Sequence, residues 1–191
     1  MNKKRLFMWA SPGLIMFLLA CSALAGGGGT GGNEAGVEGN EIEVFKEPIR
    51  QWASTASASS EYGSESWSAM QAVGEPDTTE CGTSVYSWAS STIDGIQWLE
   101  VGFDTSVTPT QINIYETAYP GQVVNVEVRD ESGNLQTVWT GETYVDDQCP
   151  RVFTVDVTGV DYKVTAVRVS LDQSAANYWS ELDAIELVGT P

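Results

Sequence analysis

Glu116, Glu181 and Asp183 are the side chains of this chain whose type and setting best suit covalent chemistry. Two carboxylates flanking a glycosidic bond, one as acid and the other as base or nucleophile, are the machinery of glycoside hydrolysis. The chain contains no histidine, which removes the commonest general base and every Ser-His or Cys-His arrangement. It also shows no Gly-rich phosphate loop, metal-ligand cluster or nucleotide motif. Acidic residues at strand ends are usually solvated or turn-forming, and a fold does not license a chemistry. A non-catalytic protein is therefore expected.

Some of the same carboxylates suit binding. Tyr86 and Trp88 follow the stretch at Cys81, Tyr119 precedes Pro120-Gly121, and Tyr178-Trp179 precede Glu181 in a polar segment. An aromatic platform against the apolar face of a sugar, with a few directed polar groups, makes a shallow glycan site, here completed by Glu116, Asn177 and Glu181. Burial in the core is the competing explanation for Trp88 and Trp179. It is the expected one for Trp52, Trp67, Trp98 and Trp139.

The elements that must position these residues are strands. In Gln97–Asp104, Leu99, Val101 and Phe103 alternate with Trp98, Glu100 and Gly102, the pattern of a strand with one buried face. Thr110–Glu116 and Val123–Arg129 alternate likewise, and Pro120-Gly121 between them reads as a turn. Asp130–Asn134 forms a hairpin loop before the alternation at Leu135–Thr140. Val152–Val157, Lys163–Leu171 and Ala184–Val188 follow, with weaker candidates at Tyr86–Ser90 and Ile42–Phe45 and a helical turn or two at Trp67–Val73. This predicts an all-β jelly-roll sandwich of two antiparallel sheets with about eight or nine strands.

The N-terminus lies outside that pattern. Lys3, Lys4 and Arg5 precede an apolar run ending in Leu18-Leu19-Ala20-Cys21, the layout of a secretory signal over residues 1–20. The final four residues resemble the bacterial lipobox, which implies lipid on Cys21 and an extracytoplasmic, membrane-anchored protein at the cell surface. Cleavage after Ala25 and secretion is the alternative. Residues 21–41 hold the cysteine and a Gly-rich tether, and 42–191 form one domain. Residues 1–20 carry three of the nine basic residues and none of the 26 acidic ones, so the remainder has six basic against 26 acidic residues, a net charge of −20. Nucleic acid and anionic lipid are thereby excluded as partners, since both need Lys and Arg. With Cys21 assigned to lipid, Cys81 and Cys149 remain, and in an oxidising compartment they are expected to pair. Zinc is the poorer alternative with two thiols and no histidine.

An ordered set of fragments carries a resemblance: Ala56–Ser60, Trp67–Ala72, Trp88-Ala89-Ser90, Gln97–Val101 and Asp183–Leu187. Together they resemble the discoidin, or coagulation-factor C-type, domain of the galactose-binding-like sandwiches. Ile114–Gly121 is similar to the galactose-binding-like domain of pappalysins. The resemblance implies a non-catalytic jelly roll with ligand loops at one end and a structural calcium ion. Calcium takes six to eight oxygens. Asp77, Thr78 and the carbonyls of Ala72–Thr78 would supply the loop and Glu186 the distant ligand, although the family's Asp-Gly loop is here Gly74–Thr78. The alternative is that Asp77 caps a turn and Glu186 faces solvent. The function expected is a lipid-anchored module binding a glycan or cell-surface polymer, with protein-protein adhesion as the alternative.

Overall fold

The computed structural model describes residues 46–191. The signal at 1–20, the lipid site Cys21, the tether and the candidate strand at Ile42–Phe45 lie outside the described residues. Eight strands follow in order: β1 (Ile49–Trp52), β2 (Thr55–Ala58), β3 (Ile96–Ala118), β4 (Val123–Asp130), β5 (Leu135–Thr140), β6 (Arg151–Asp156), β7 (Val164–Asp172) and β8 (Glu181–Thr190). A 3-10 turn at Ala69–Ala72 lies between β2 and β3, where helical spacing was expected.

The organising element is β3. Its first part joins a sheet ordered β2-β3-β7-β4-β5, and its last part joins a second sheet ordered β1-β8-β3-β6, with all pairs antiparallel. Pairing with β7 shifts register between Gly102 and Val107, so the strand passes from one sheet to the other there. The Gln97–Asp104 and Thr110–Glu116 alternations are thus two halves of one 23-residue strand. Leu99, Val101, Val126, Val167 and Val169 from the first sheet meet Ile112, Ile114, Ile185 and Leu187 from the second in a common core. A period-two side-chain pattern on both sheets makes that core possible.

The outward faces are held by charge pairs. Glu100 accepts two hydrogen bonds from Arg129, at 2.9 and 2.7 Å, and one from Arg168 at 2.7 Å, while Arg168 lies 4.2 Å from the centre of the Trp98 ring. Burial alone would raise the Glu100 pKa, but the two guanidiniums outweigh it and hold the carboxyl low. Trp98, Trp52 and Trp139, expected in the core, are only half-buried: Trp98 is capped by Arg168, Trp52 packs edge-on to Tyr115 and Trp139 edge-on to Phe153. Among the described residues the fully buried tryptophan is Trp88.

Candidate functional site

β8 begins the site. Trp88 pairs with Leu182 in an isolated antiparallel bridge, with hydrogen bonds of 2.8 and 3.1 Å in the two directions, and its indole donates to the Ser60 carbonyl at 3.1 Å. Trp88 is therefore a core residue and not a ligand platform, correcting the sequence-based expectation. The expected strand at Tyr86–Ser90 shrinks to this one bridge.

Strand periodicity places Glu181 and Asp183 on the same side of β8, and both carboxylates hold loop backbone. Asp183 accepts the amides of Asp77 and Thr78 at 3.1 and 3.2 Å, and Glu181 accepts the Ser84 amide at 2.7 Å. Glu181 is 2% exposed. Burial pushes its carboxyl up to about 7, against hydrogen bonds from the Ser84 amide, Trp67 and Thr83 that hold it down. Burial also raises Asp183, assisted by the neighbouring Asp77 and opposed by Thr78.

Glu181 opens onto a pocket of about 130 Å³ whose other walls are Tyr62, Trp67, Thr83, Tyr178 and Trp179. The aromatic rings form one chain. Tyr62 meets Trp67 at 5.4 Å and Trp179 at 5.6 Å, both near edge-on, Trp179 meets Tyr178 at 5.6 Å, and Tyr178 lies 4.5 Å from Tyr119. Trp67, Tyr119 and Asn177 have φ of 56°, 44° and 50°. Among the described residues these are the non-glycine positions in left-handed backbone, and all three belong to this end of the sandwich. Such conformations cost free energy unless the surroundings enforce them.

The enforcement is visible. Buried Gln173 accepts the Ser180 amide at 2.7 Å and donates to Ser90 at 2.9 Å, and buried Gln122 accepts the Ala176 amide at 3.2 Å. The Ser180 hydroxyl donates to the Tyr119 carbonyl at 2.7 Å. These bonds pin the loop that presents Tyr178 and Trp179. On the opposite wall, Cys81 and Cys149 form a disulfide with Cα atoms 5.0 Å apart, and Gly82 donates to the Thr117 carbonyl at 2.9 Å, which places Thr83 and Ser84.

Of the expected ligand residues, Tyr178, Trp179 and Glu181 line the pocket and Tyr119 packs beside it. Asn177 sets the backbone before Tyr178. Tyr86 is exposed and outside the pocket lining. Glu116 belongs elsewhere: it is buried against Arg151 at 2.5 Å and accepts the Gly121 amide at 3.0 Å. Burial raises its pKa in spite of Arg151. Gly121 has φ 95°, and a Cβ there would sit 2.5 Å from the Tyr144 carbonyl oxygen, so Glu116 serves a turn that only glycine can make. Glu116 and Glu181 line different depressions and do not form a carboxylate pair. Tyr62, Trp67 and Thr83 were missed. Tyr62 and Trp67 carry the same signal as Tyr178-Trp179, aromatics within a polar, Ser-rich loop.

Of the residues expected to hold calcium, Glu186 is gripped by Arg50 at 2.9 and 2.6 Å and by Asn113 at 2.7 Å, and the backbone amides of Asp77 and Thr78 donate to Asp183. Among the described residues no three acidic or cysteine side chains gather in a way that could hold a metal ion.

Two antiparallel sheets with a pocket among the loops at one end define a galactose-binding-like sandwich. The sequence model described as Pappalysin-1, SD scarf domain, C-terminal matches residues 45–191, and the chain belongs to that family. Among solved structures, chitosan-binding module 1 from the chitosanase/glucanase of Paenibacillus sp. IK-5 is 26% identical, with a TM-score of 0.54 over 71% of this chain and 94% of that one. An F5/8 type C domain from Bacteroides fragilis is 17% identical, with a TM-score of 0.55 over 73% and 91%. The family 32 carbohydrate-binding module of C. perfringens NanJ, solved with galactose, is 18% identical, with a TM-score of 0.51 over 73% and 99%. F-box/LRR-repeat protein 4 of Bos taurus is 27% identical, and the match spans 48% of this chain but only 16% of that protein's length.

Proposed function

We propose that the chain is a non-catalytic carbohydrate-binding module, held outside the cytoplasm by lipid on Cys21, that grips its glycan in the pocket of Tyr62, Trp67, Tyr178, Trp179 and Glu181. The observation that carries this reading is the continuous aromatic wall converging on one buried carboxylate. Rings supply faces for the C–H surface of a sugar, and a few fixed polar groups supply orientation. The 26% identical relative is a chitosan-binding module by name, which supports the same class of ligand. Glu116 and Glu181 line different depressions, and Asp183 is engaged by the Asp77 and Thr78 amides, which supports binding over hydrolysis.

A glycan array with wild type and Trp179→Ala tests the site. Binding by wild type that drops about tenfold or more in the variant, as expected for loss of a stacking platform, supports it. Wild type that ignores every glycan and instead pulls down a protein partner would replace it with adhesion. For the anchor, Cys21→Ser is expected to move the protein from the membrane to the soluble fraction. Retention in the membrane would remove the lipid assignment.

A further inference from the structure

Glu181 is a nearly buried acid whose partners are all neutral: the Ser84 amide, Trp67 and Thr83. A carboxylate withdrawn from water without a counter-charge is unfavourable, so the site is incomplete as an ionised one. Among the described residues no cation finishes it. Each of the four arginines among the described residues already holds a carboxylate: Arg50 with Glu186, Arg129 and Arg168 with Glu100, and Arg151 with Glu116 and Asp146. Neither described lysine, Lys46 or Lys163, lines the pocket.

The remaining walls are four aromatic side chains, Tyr62, Trp67, Tyr178 and Trp179, with the small residues Thr83 and Ala89. Ring faces carry negative quadrupole potential, and a cage of them around one acid is the arrangement that recognises organic ammonium groups. The volume of about 130 Å³ is roughly that of four waters, room for an ammonium group and one edge of a ring, so a longer chain would extend out of it. The wider surface agrees, since the chain without residues 1–20 carries six basic against 26 acidic residues and such a field attracts cations.

We infer that the pocket takes the protonated primary amine of an amino sugar, with Glu181 as its counter-ion and the four rings as its cage. This rests on the carbohydrate-binding reading above and narrows it to glycans with free amines. An N-acetyl group at the same position brings no charge to pair with Glu181, so acetylation is expected to weaken binding.

The test is titration calorimetry of a glucosamine hexasaccharide and an N-acetylglucosamine hexasaccharide against wild type, Glu181→Gln and Thr83→Lys. Thr83 is an exposed wall residue, so its variant folds on the wild-type framework and brings a competing cation to the cage. Expected is wild-type preference for the free amine by about tenfold or more, loss of that preference in Glu181→Gln, and about tenfold weaker amine binding in Thr83→Lys. Equal affinity for both sugars, tighter binding of the acetylated one, or unchanged amine binding in Thr83→Lys would overturn the amine assignment and leave the carbohydrate reading standing. Binding of neither sugar, nor of any glycan on the array, would overturn both. If Glu181→Gln shows no cooperative melt, the Thr83→Lys result decides.

Discussion

Burial lifts the Glu181 carboxyl from 4.5 to about 7, and that couples folding to proton uptake. Between those values the native state holds a proton that the unfolded chain has released. The resulting stabilisation is complete below about pH 4.5 and is lost as pH rises through about 7. Glu116 and Asp183 are raised too and act with the same sign. Thermal melts of wild type should therefore fall in midpoint across this window, and Glu181→Gln should fall less. Parallel pH profiles for the two proteins would show that Glu181 does not titrate there. At this scale the sequence was half legible. Glu181, Tyr178 and Trp179 were identified as site residues from type and setting. Trp88 and Trp67 were exchanged, because each sits among Ala and Ser and nothing local separates them. A bridge to Leu182 buries one, and a left-handed backbone turns the other into the pocket wall.

The element that carries the Thr83 wall of the pocket is the loop from Cys81 to Ser84, tied across 68 residues to Cys149. Closing a loop of that length stabilises the fold by roughly 2 to 5 kcal/mol in the chain-entropy account. The Cys81→Ser/Cys149→Ser double variant is expected to unfold at lower urea with loss in that range. It is also expected to bind glycan less well, since Thr83 and Ser84 lose their tether while the Tyr178-Trp179 loop keeps its own. An unchanged urea midpoint would deny the bridge its stabilising role. Strand positions with alternating apolar residues, such as β4 and β7, were plain in the sequence. β1 and β2 were not, because four residues such as Thr-Ala-Ser-Ala, alternating only alanine with small polar residues, are too short and weakly apolar to mark a strand; they pair with β8 and β3.

Across the whole molecule, charge is partitioned by function. Arginines staple the outer faces of the sheets to Glu100, Glu116 and Glu186, leaving one acid of the pocket without a counter-ion. The acidic balance argued against nucleic acid, and the absence of histidine against Ser-His and Cys-His catalysis, from the sequence alone. Period-two alternation by itself determined the sandwich, because a strand with one apolar face must cover it with a second sheet. Cysteine count and an oxidising compartment led to the expectation that Cys81 and Cys149 pair, and they do. Which acid would face a ring and which would face an arginine was decided only in three dimensions. Glu116, Glu181 and Glu186 are the same residue type at strand positions, and their fates differ because β6, β3 and β1 bring Arg151, Asn113 and Arg50 to two of them, while the third meets only neutral neighbours. Those neighbours are distant in sequence, and no local pattern encodes them.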